Sequence, residues 1–202
     1  MLAKLTINYR GAAYMQSSAG HVVLLTDQGE PCGTELKERV HSSQTPLHLG
    51  FSCHVINSSG EVLVTRRALG KLTWPGVWTN SFCGHPQPSE NLEDAVHRHA
   101  RHELGIELDN VSVELPDFRY RATDASGVVE NEICPVFSAS AVSVTEPNPK
   151  EVAEFMWVEP ERLAAAVESA PWAFSPWLVS QAAQLSIYQR GADTSRAGRG
   201  HQ

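Results

Sequence analysis

The turn Cys83-Gly84-His85-Pro86 sets a thiol and an imidazole two residues apart. A cysteine there can be a small buried hydrophobe, a metal ligand or a group that moves protons. Further along, VVENEICPV carries Glu130 and Glu132. On a strand, residues two apart point to one face. Two parallel carboxylates repel unless a cation lies between them or one holds a proton; on a solvent-facing edge the same pair has no role. His41, His48 and His85 lie on or beside elements able to converge with that strand. Imidazole suits transition metals and carboxylates favour harder ions, so three histidines and two strand carboxylates form a possible octahedral set. Any one of these histidines alone reads as an ordinary polar residue.

A further carboxylate, Glu103, falls on the stripe Leu92, Val96, His99, Glu103 at 100° per residue. A charge on an apolar helix face is costly unless paired or bound to a cation, so Glu103 either reaches an Arg or Lys or faces a divalent ion. Lys37, Arg66, Arg67 and Lys71 form a basic group ahead of the Cys83 turn. They make a solvated face or a diphosphate clamp, since guanidinium matches phosphate oxygens two at a time. Trp74, Trp78, Tyr120, Trp172, Phe174 and Trp177 read as core, or as ring faces able to stabilise a cation.

The elements that must position these groups are legible in outline. HVVLLTDQGEPCGTELKERV predicts a short strand, a glycine turn and a second segment. In LHLGFSCHVINSSGEVLVTRR, Leu47, Leu49, Phe51, Cys53 and Val55 alternate with His48, Gly50, Ser52 and His54, predicting a hairpin about the turn 57–60. TWPGVWTNSFCGH is turn-rich, then extended. ENLEDAVHRHARHELG predicts a helix over 92–104, capped by Asn91 or Ser89 and stopped by Gly105. DFRYRATDASGVVENEICPVFSAS predicts a second hairpin about 124–127, and EFMWV a short strand. PERLAAAVES predicts a helix opened by Pro160, and FSPWLVSQAAQLSIYQR a closing helix. Strands mixed with a few helices indicate an α+β fold or an α/β/α sandwich.

Composition bounds the rest. A chain of 202 residues with 42% hydrophobic content suits one domain with a sizeable core. A formal charge of −7 argues against a general nucleic-acid binder, though locally clustered Lys and Arg can still take an anion. Cys32, Cys53, Cys83 and Cys134 are widely spaced without a C-x-x-C, which removes zinc-finger and thioredoxin-type readings. No secretory h-region and no run of roughly 18 apolar residues is present, so the expected location is the cytoplasm, with reduced thiols and no membrane partner. Residues 1–34 are expected to be a partly mobile N-terminal extension, 35–188 the catalytic domain, and 189–202 a mobile tail.

GHPQPSENLEDAVHRHARHELGI resembles a Nudix box, G-x5-E-x7-R-E-U-x-E-E-x-G-U with U aliphatic. Gly84, Glu90, Arg98, Glu103, Gly105 and Ile106 match; His99 and His102 stand where the pattern has glutamates, and Ala100 is a weak aliphatic match. LVTRRALGKLTW, WPGVWTNSFCGHPQ, DFRYRATDASGVVENEICPVF and PWAFSPW, in that order, are similar to the type 1 isopentenyl-diphosphate isomerases over roughly positions 35 to 180. That resemblance implies an α/β fold, the Nudix-type α/β/α sandwich of a mixed sheet flanked by helices, with terminal additions. It implies that His41, His48, His85, Glu130 and Glu132 ligate one divalent metal (Mn²⁺, Zn²⁺ or Mg²⁺), and that Glu103 helps hold a Mg²⁺ bridging the substrate diphosphate. Lys37, Arg67 and Lys71 would bind that diphosphate. Cys83 and Glu132 would be the catalytic pair, with Tyr120 near Glu132 and Trp177 facing a carbocation. In the isopentenyl-to-dimethylallyl direction, Cys83 would take the departing proton as thiolate while the Glu132–Tyr120 side delivers one. The implied activity belongs to isoprenoid biosynthesis, in a monomer acting on a small isoprenoid diphosphate.

Two other readings stand beside it. A Nudix pyrophosphohydrolase acting on a nucleoside diphosphate derivative would ordinarily want the glutamates that His99 and His102 replace. A non-catalytic, metal-stabilised binding protein would tolerate loss of the Cys83 thiol.

Overall fold

The structure is a computed structural model and describes residues 20–189. Of the terminal stretches expected to be mobile, 1–34 and 189–202, residues 1–19 and 190–202 lie outside these, while residues 20–34 and Gln189 are described. The described chain opens with a hairpin, β1 (His21–Leu25) and β2 (Pro31–Leu36), and one helical turn, α1 (Lys37–Val40). β3 (His48–Leu49), β4 (Phe51–Ile56), β5 (Val62–Arg67) and two short strands, β6 (Trp78–Thr79) and β7 (Phe82–Gly84), lead to helix α2 (Leu92–His99). Five strands follow: β8 (Leu108–Leu115), β9 (Arg119–Thr123), β10 (Val129–Ile133), β11 (Val136–Ala141) and β12 (Val152–Val158). Helices α3 (Pro160–Ser169) and α4 (Pro176–Ala182) complete it.

Two sheets share a spine. The first has the order β2-β1-β3-β10-β9, the second β12-β5-β4-β11-β8, with β6 and β7 paired to β5 and β4. β3 runs parallel to β10 in the first sheet, and the same two stretches of chain run on as the parallel pair β4 and β11 in the second. The passage is made at Gly50 on one stretch and at Cys134-Pro135 on the other. Gly50 N–H donates to the Ile133 carbonyl (2.9 Å) and Ser52 N–H to that of Pro135 (3.1 Å), so the spine stays bonded through the change of sheet.

Alternation along the central strands sends side chains into two cores. Phe51, Cys53, Val55, Leu63, Phe137 and Ala139 pack with Ala95, Val96 and Leu104 on the α2 side. Val62, Val64 and Val136 face the other way, onto Leu163, Val167, Trp177 and Leu178 of α3 and α4. Helices thus cover both faces of the second sheet, giving the expected α/β/α arrangement. Each fully buried large apolar side chain of this kind contributes about 1.5–3 kcal/mol.

Helix α2 starts where expected: the Asn91 side chain accepts the Glu93 N–H at 2.9 Å. It ends differently. Residues Ala100–Leu104 form a π-helical turn, closed by Gly105 in the left-handed region at φ 63°. Three other features depart from expectation. The hairpin about residues 57–60 is paired only at Ile56 and Val62, because β6 and β7 fill the gap as its strands flare. The closing helix stops at Ala182, and a 3₁₀ turn at Ser186–Tyr188 follows Leu185, which is extended at ψ 126°. The boundary drawn at residues 34/35 falls inside β2, whose partner β1 is itself paired to β3.

Candidate active site and metal centre

The site sits where the spine changes sheet. Glu132 on β10 is in register with His48 on β3 to one side and with Tyr120 on β9 to the other. Cross-strand neighbours project from one face, so an imidazole, a carboxylate and a phenol form a row. Glu130 shares the Glu132 face two residues earlier, as strand alternation requires. β7 adds Cys83 opposite Ser52 of β4, and carries His85 just past its end. His41 follows α1.

The histidines converge. Nitrogen atoms of His41, His48 and His85 and a Glu132 oxygen all lie within 4.8 Å of one another. Ligands facing each other across a transition ion are about 4.2 Å apart at ordinary metal–nitrogen distances, so this spread accommodates one ion. His48 Nδ1–H donates to the Pro46 carbonyl (2.9 Å), which turns the Nε2 lone pair inward. His85 Nε2–H donates to Glu132 Oε1 (2.9 Å). Among the described residues, buried side-chain nitrogens and oxygens without a hydrogen-bond partner are His41 Nε2, His48 Nε2, His85 Nδ1, Glu130 Oε2 and, elsewhere, Arg66 Nε. His41 Nε2 and Glu130 Oε2 are 2.9 Å apart, and His48 Nε2 and Glu132 Oε1 3.3 Å, yet neither pair is aligned as a hydrogen bond. A buried polar atom left unpaired costs about 1–3 kcal/mol. Several such atoms gathered at one point fit a divalent cation that they would jointly hold.

Electrostatics support that reading. Burial alone would raise the Glu132 carboxyl, but the adjoining imidazoles of His48 and His85, the second hydrogen-bonded to it, hold it well below the usual carboxylate range. Burial wins at His85, whose imidazole falls to about 4 and is neutral. At His48 burial, which would lower the imidazole, is outweighed by the closeness of the Glu132 carboxylate, and the imidazole is raised.

A cavity of about 480 Å³ adjoins this cluster, lined by Cys83, Glu103, Tyr120, Glu130, Glu132 and Trp177. Lys37, Arg67 and Lys71 stand on its wall as well. Two of the three already have partners. Arg67 Nε and Nη2 donate to the Thr73 and Trp74 carbonyls at 2.8–3.2 Å, and its guanidinium lies over the Trp177 ring, 5.5 Å from the centroid. Lys71 is ion-paired with Glu151. Arg66, grouped with them by sequence, alternates to the opposite side of β5 and pairs with Glu154 at 3.2 Å; it is not among the cavity residues.

Cys83 is held by two contacts: Ser52 Oγ at 3.2 Å and Asn80 Oδ1 at 3.3 Å. Burial pushes its thiol up to about 12, with the Glu132 charge adding to the effect and Ser52, Asn80 and Arg67 opposing it. The sulfur therefore carries its proton. Tyr120 is likewise pushed well up, by burial first and then by the charges of Glu132 and Glu130. Trp177 is buried, with its indole N–H donating to Asn80 Oδ1 (3.0 Å) and its ring 5.5 Å from that of Tyr120.

Glu103 reaches the cavity from the π-helical turn. His99 Nδ1–H donates to it at 2.7 Å, and burial, which would raise its carboxyl, is overcome by His99 so that the net shift is downward. Of the two histidines at glutamate positions of the motif, His99 thus anchors Glu103 while His102 is solvent-exposed, 3.6 Å from Glu151. Glu90 and Arg98 form a two-point ion pair at 2.6–2.7 Å that ties the turn after His85 to α2.

Sequence reasoning missed the supporting role of three residues, Asn80, Gly50 and Gly84. Asn80 donates both amide hydrogens to backbone carbonyls (Cys53, 3.0 Å; Phe82, 2.8 Å), which fixes its oxygen between Cys83 and Trp177. A Cβ on Gly50 would lie 2.6 Å from Glu132 Oε2, and one on Gly84 2.5 Å from the His99 ring. Those two glycines, inside extended segments, were the available signal.

A fold of this kind around such a His/Glu cluster defines the class: a Nudix domain with a side-chain cluster able to hold a divalent metal. The family model for the NUDIX domain matches residues 46–178. The chain resembles the crystal structure of DR0079 from Deinococcus radiodurans (TM-score 0.61, 22% identity, covering 80% of this chain and 96% of that one). It also resembles the MutT protein of Methanosarcina mazei Go1 (TM-score 0.54, 19% identity, 74% and 96%). At such identities these likenesses speak for fold alone. Sequence relatives narrow the class. The chain is 65% identical over 160 residues to the isopentenyl-diphosphate Delta-isomerase of Clavibacter michiganensis subsp. michiganensis (79% of this chain, 82% of the relative). It is 61% identical over 171 residues to that of Kocuria rhizophila (85% and 95%). The chain belongs to the type 1 isopentenyl-diphosphate Delta-isomerase family of the Nudix superfamily. None of its described helices is long and apolar enough to cross a membrane.

Proposed function

We propose that this chain interconverts isopentenyl diphosphate and dimethylallyl diphosphate, a step of isoprenoid biosynthesis, by adding and removing protons through a tertiary carbocation. The observation that carries the reading is one cavity lined by a protonated thiol, Cys83, and by the ionised Glu132 in register with Tyr120.

The chemistry needs two proton-handling groups and a dry wall. A C–H bond forms at the terminal methylene carbon, which leaves a tertiary cation. A C–H bond then breaks at the carbon on the other side of the cation, and its electron pair makes the new double bond. Composition is unchanged and no redox partner is required. An unactivated alkene is a weak base, so the donor must be placed against it. Cys83 and the Glu132–Tyr120 row are the two groups, and their roles exchange with direction. The resting sulfur holds a proton and Glu132 does not. A thiolate acceptor at Cys83, the role the resemblance suggested, therefore requires added positive charge nearby.

His41, His48, His85 and Glu132, with Glu130 beside them, would hold a divalent ion (Mn²⁺, Zn²⁺ or Mg²⁺), and Glu103 would help hold a Mg²⁺ at the diphosphate; such ions would supply positive charge to neighbouring acids and to the phosphate oxygens. Lys37, Arg67 and Lys71 line the side of the cavity suited to the diphosphate, which anchors a small apolar tail away from the reacting carbons. Trp177 excludes water that would otherwise trap the cation, and its ring contributes ~2 kcal/mol of cation–π stabilisation in a desolvated site. The unpaired cysteines suit a reducing cytoplasm, and the chain acts as a monomer.

Incubation with isopentenyl diphosphate and Mg²⁺ in D₂O tests the reading. Deuterium in the methyl group of dimethylallyl diphosphate is the expected result. Phosphate release without isomerisation would mark a pyrophosphohydrolase, and unchanged substrate a binding protein.

A further inference from the structure

The second face of β4 carries polar side chains that the chemistry above does not use. Ser52 and His54 point away from the α2 core, and α4 covers them, so that both are buried with Gln181 and Tyr188. They touch in a line. Tyr188 OH is 2.7 Å from His54 Nδ1, His54 Nε2 is 2.9 Å from Gln181 Oε1, and Gln181 Nε2 is 2.9 Å from Ser52 Oγ. Ser52 Oγ is 3.2 Å from Cys83 Sγ. We infer that this buried line of hydrogen bonds positions the Cys83 thiol, with Gln181 as a positioning residue acting through Ser52. The inference rests on the reading of Cys83 as a proton-transfer group.

The line has a direction. Burial holds His54 neutral, at about 4, so one ring nitrogen donates and the other accepts. An amide oxygen only accepts, so His54 Nε2 carries the hydrogen facing Gln181 Oε1, and Nδ1 accepts from the Tyr188 hydroxyl. Gln181 is thereby oriented with its NH₂ toward Ser52. Ser52 Oγ accepts from it and has its own hydrogen free for sulfur. The thiol hydrogen in turn faces Asn80 Oδ1 (3.3 Å), an oxygen whose orientation the Asn80 amide bonds already fix. Sulfur is thus held between one donor and one acceptor, with a single direction for its proton. Reversing any link reverses the rest: a Gln181 flipped end for end would take the Ser52 hydrogen away from sulfur. Four buried polar groups could be replaced by apolar ones of the same shape at little cost in stability; a line that ends on the thiol has another use.

Cys134 Sγ, 3.4 Å from the Ser52 hydroxyl, is the competing acceptor. The test compares Ser52→Ala, Gln181→Met, their double variant, Tyr188→Phe and Cys134→Ala in the full chain. Steady-state kinetics, Mn²⁺ binding by calorimetry and the ¹³Cβ resonance of labelled Cys83 are measured on each. Ser52→Ala and Gln181→Met should each lower kcat about tenfold, the worth of one such hydrogen bond, leaving KM and Mn²⁺ affinity unchanged. The double variant should be no worse than the poorer single one, because both interrupt one line. Tyr188→Phe, the mildest change, should move the Cys83 resonance, and ¹⁵N spectra of the native protein should show His54 protonated on Nε2. Additive losses, a loss that appears as raised KM, His54 protonated on Nδ1, or a Cys134→Ala variant matching Ser52→Ala would overturn the inference. If Gln181→Met does not fold, the Tyr188→Phe resonance decides. Cys83→Ala retaining turnover would instead defeat the reading of Cys83, while the resonances would still report whether the line exists.

Discussion

Glu132 and Tyr120 face each other across the antiparallel ladder of β9 and β10. The register makes the phenol and the carboxylate neighbours without any loop to place them, so the distance between the two strands sets their separation. On the other side of Glu132, β3 supplies His48 by the same rule. One carboxylate therefore belongs both to the cluster able to hold a cation and to the wall proposed to handle protons. Tyr120→Phe keeps the ring against Trp177 and removes only the hydroxyl. It should lower kcat by about tenfold to a hundredfold with little change in KM or in cation affinity, and steady-state kinetics beside calorimetry would show it. A raised KM alone would mean that Tyr120 merely shapes the pocket.

The cation should stabilise the fold as well as serve the reaction. The imidazole and carboxylate atoms without partners regain them when an ion is bound, and a ligand that binds only the folded chain raises stability. Chelation should lower Tm and abolish turnover, and added Mn²⁺ should restore both. His48→Gln should weaken Mn²⁺ binding and shrink the gap in Tm between chelated and loaded protein. An unchanged gap would show that the cluster holds no ion.

Gly50 and Gly84 make room for site residues rather than for turns. In Gly50→Ala the new methyl would overlap the Glu132 carboxylate (2.6 Å). The expected variant is folded, binds Mn²⁺ more weakly and loses at least tenfold in kcat, since the displaced carboxylate is flexible but its role is not. In Gly84→Ala the methyl would meet the rigid, buried His99 ring (2.5 Å). Overpacking of this kind costs about 1–3 kcal/mol, read in a urea titration. Activity should fall too, because His99 holds Glu103. Native-like stability and kinetics in both variants would remove the proposed reason for glycine.

Acid should destabilise the protein through His54. Its imidazole lies at about 4 in the folded chain against an ordinary value of 6.5, with burial as the chief cause. Between those values the unfolded chain binds more protons than the folded one, so stability is complete above pH 6.5 and is lost as pH falls toward 4. The limit of that loss, from 6.5 to about 4, is on the order of 3 kcal/mol. Urea midpoints measured from pH 7 to pH 4 in chelator should fall, and His54→Gln should flatten the slope. Equal slopes in the two proteins would count against a neutral, buried His54.

Much of the frame was legible because it is local. The helix over 92–104 is announced by its apolar stripe, Asn91 and Gly105, and its stripe rightly marked Glu103 as a buried charge. The ENE spacing put Glu130 and Glu132 on one face, which strand alternation guarantees wherever the strand lies. Less legible was anything that a neighbouring segment decides. The break in the closing helix after Ala182 and the π-helical turn are tertiary compromises that propensity does not encode. Arg66 and Arg67 are adjacent in sequence and part company because alternation sends one into the cavity and the other to Glu154.

What the sequence determined by itself was the inventory and its local phase: which groups exist, which share a strand face or helix stripe, and which family their motifs match. Tertiary structure alone decided the company they keep. His41, His48, His85 and Glu132 come from separate segments, and Ser52 meets Gln181 across 129 residues. Such meetings arise because two buried parallel strands carry one sheet into another and α4 closes over them. That packing is fixed by the free energy of the whole core, and no short stretch of the chain records it.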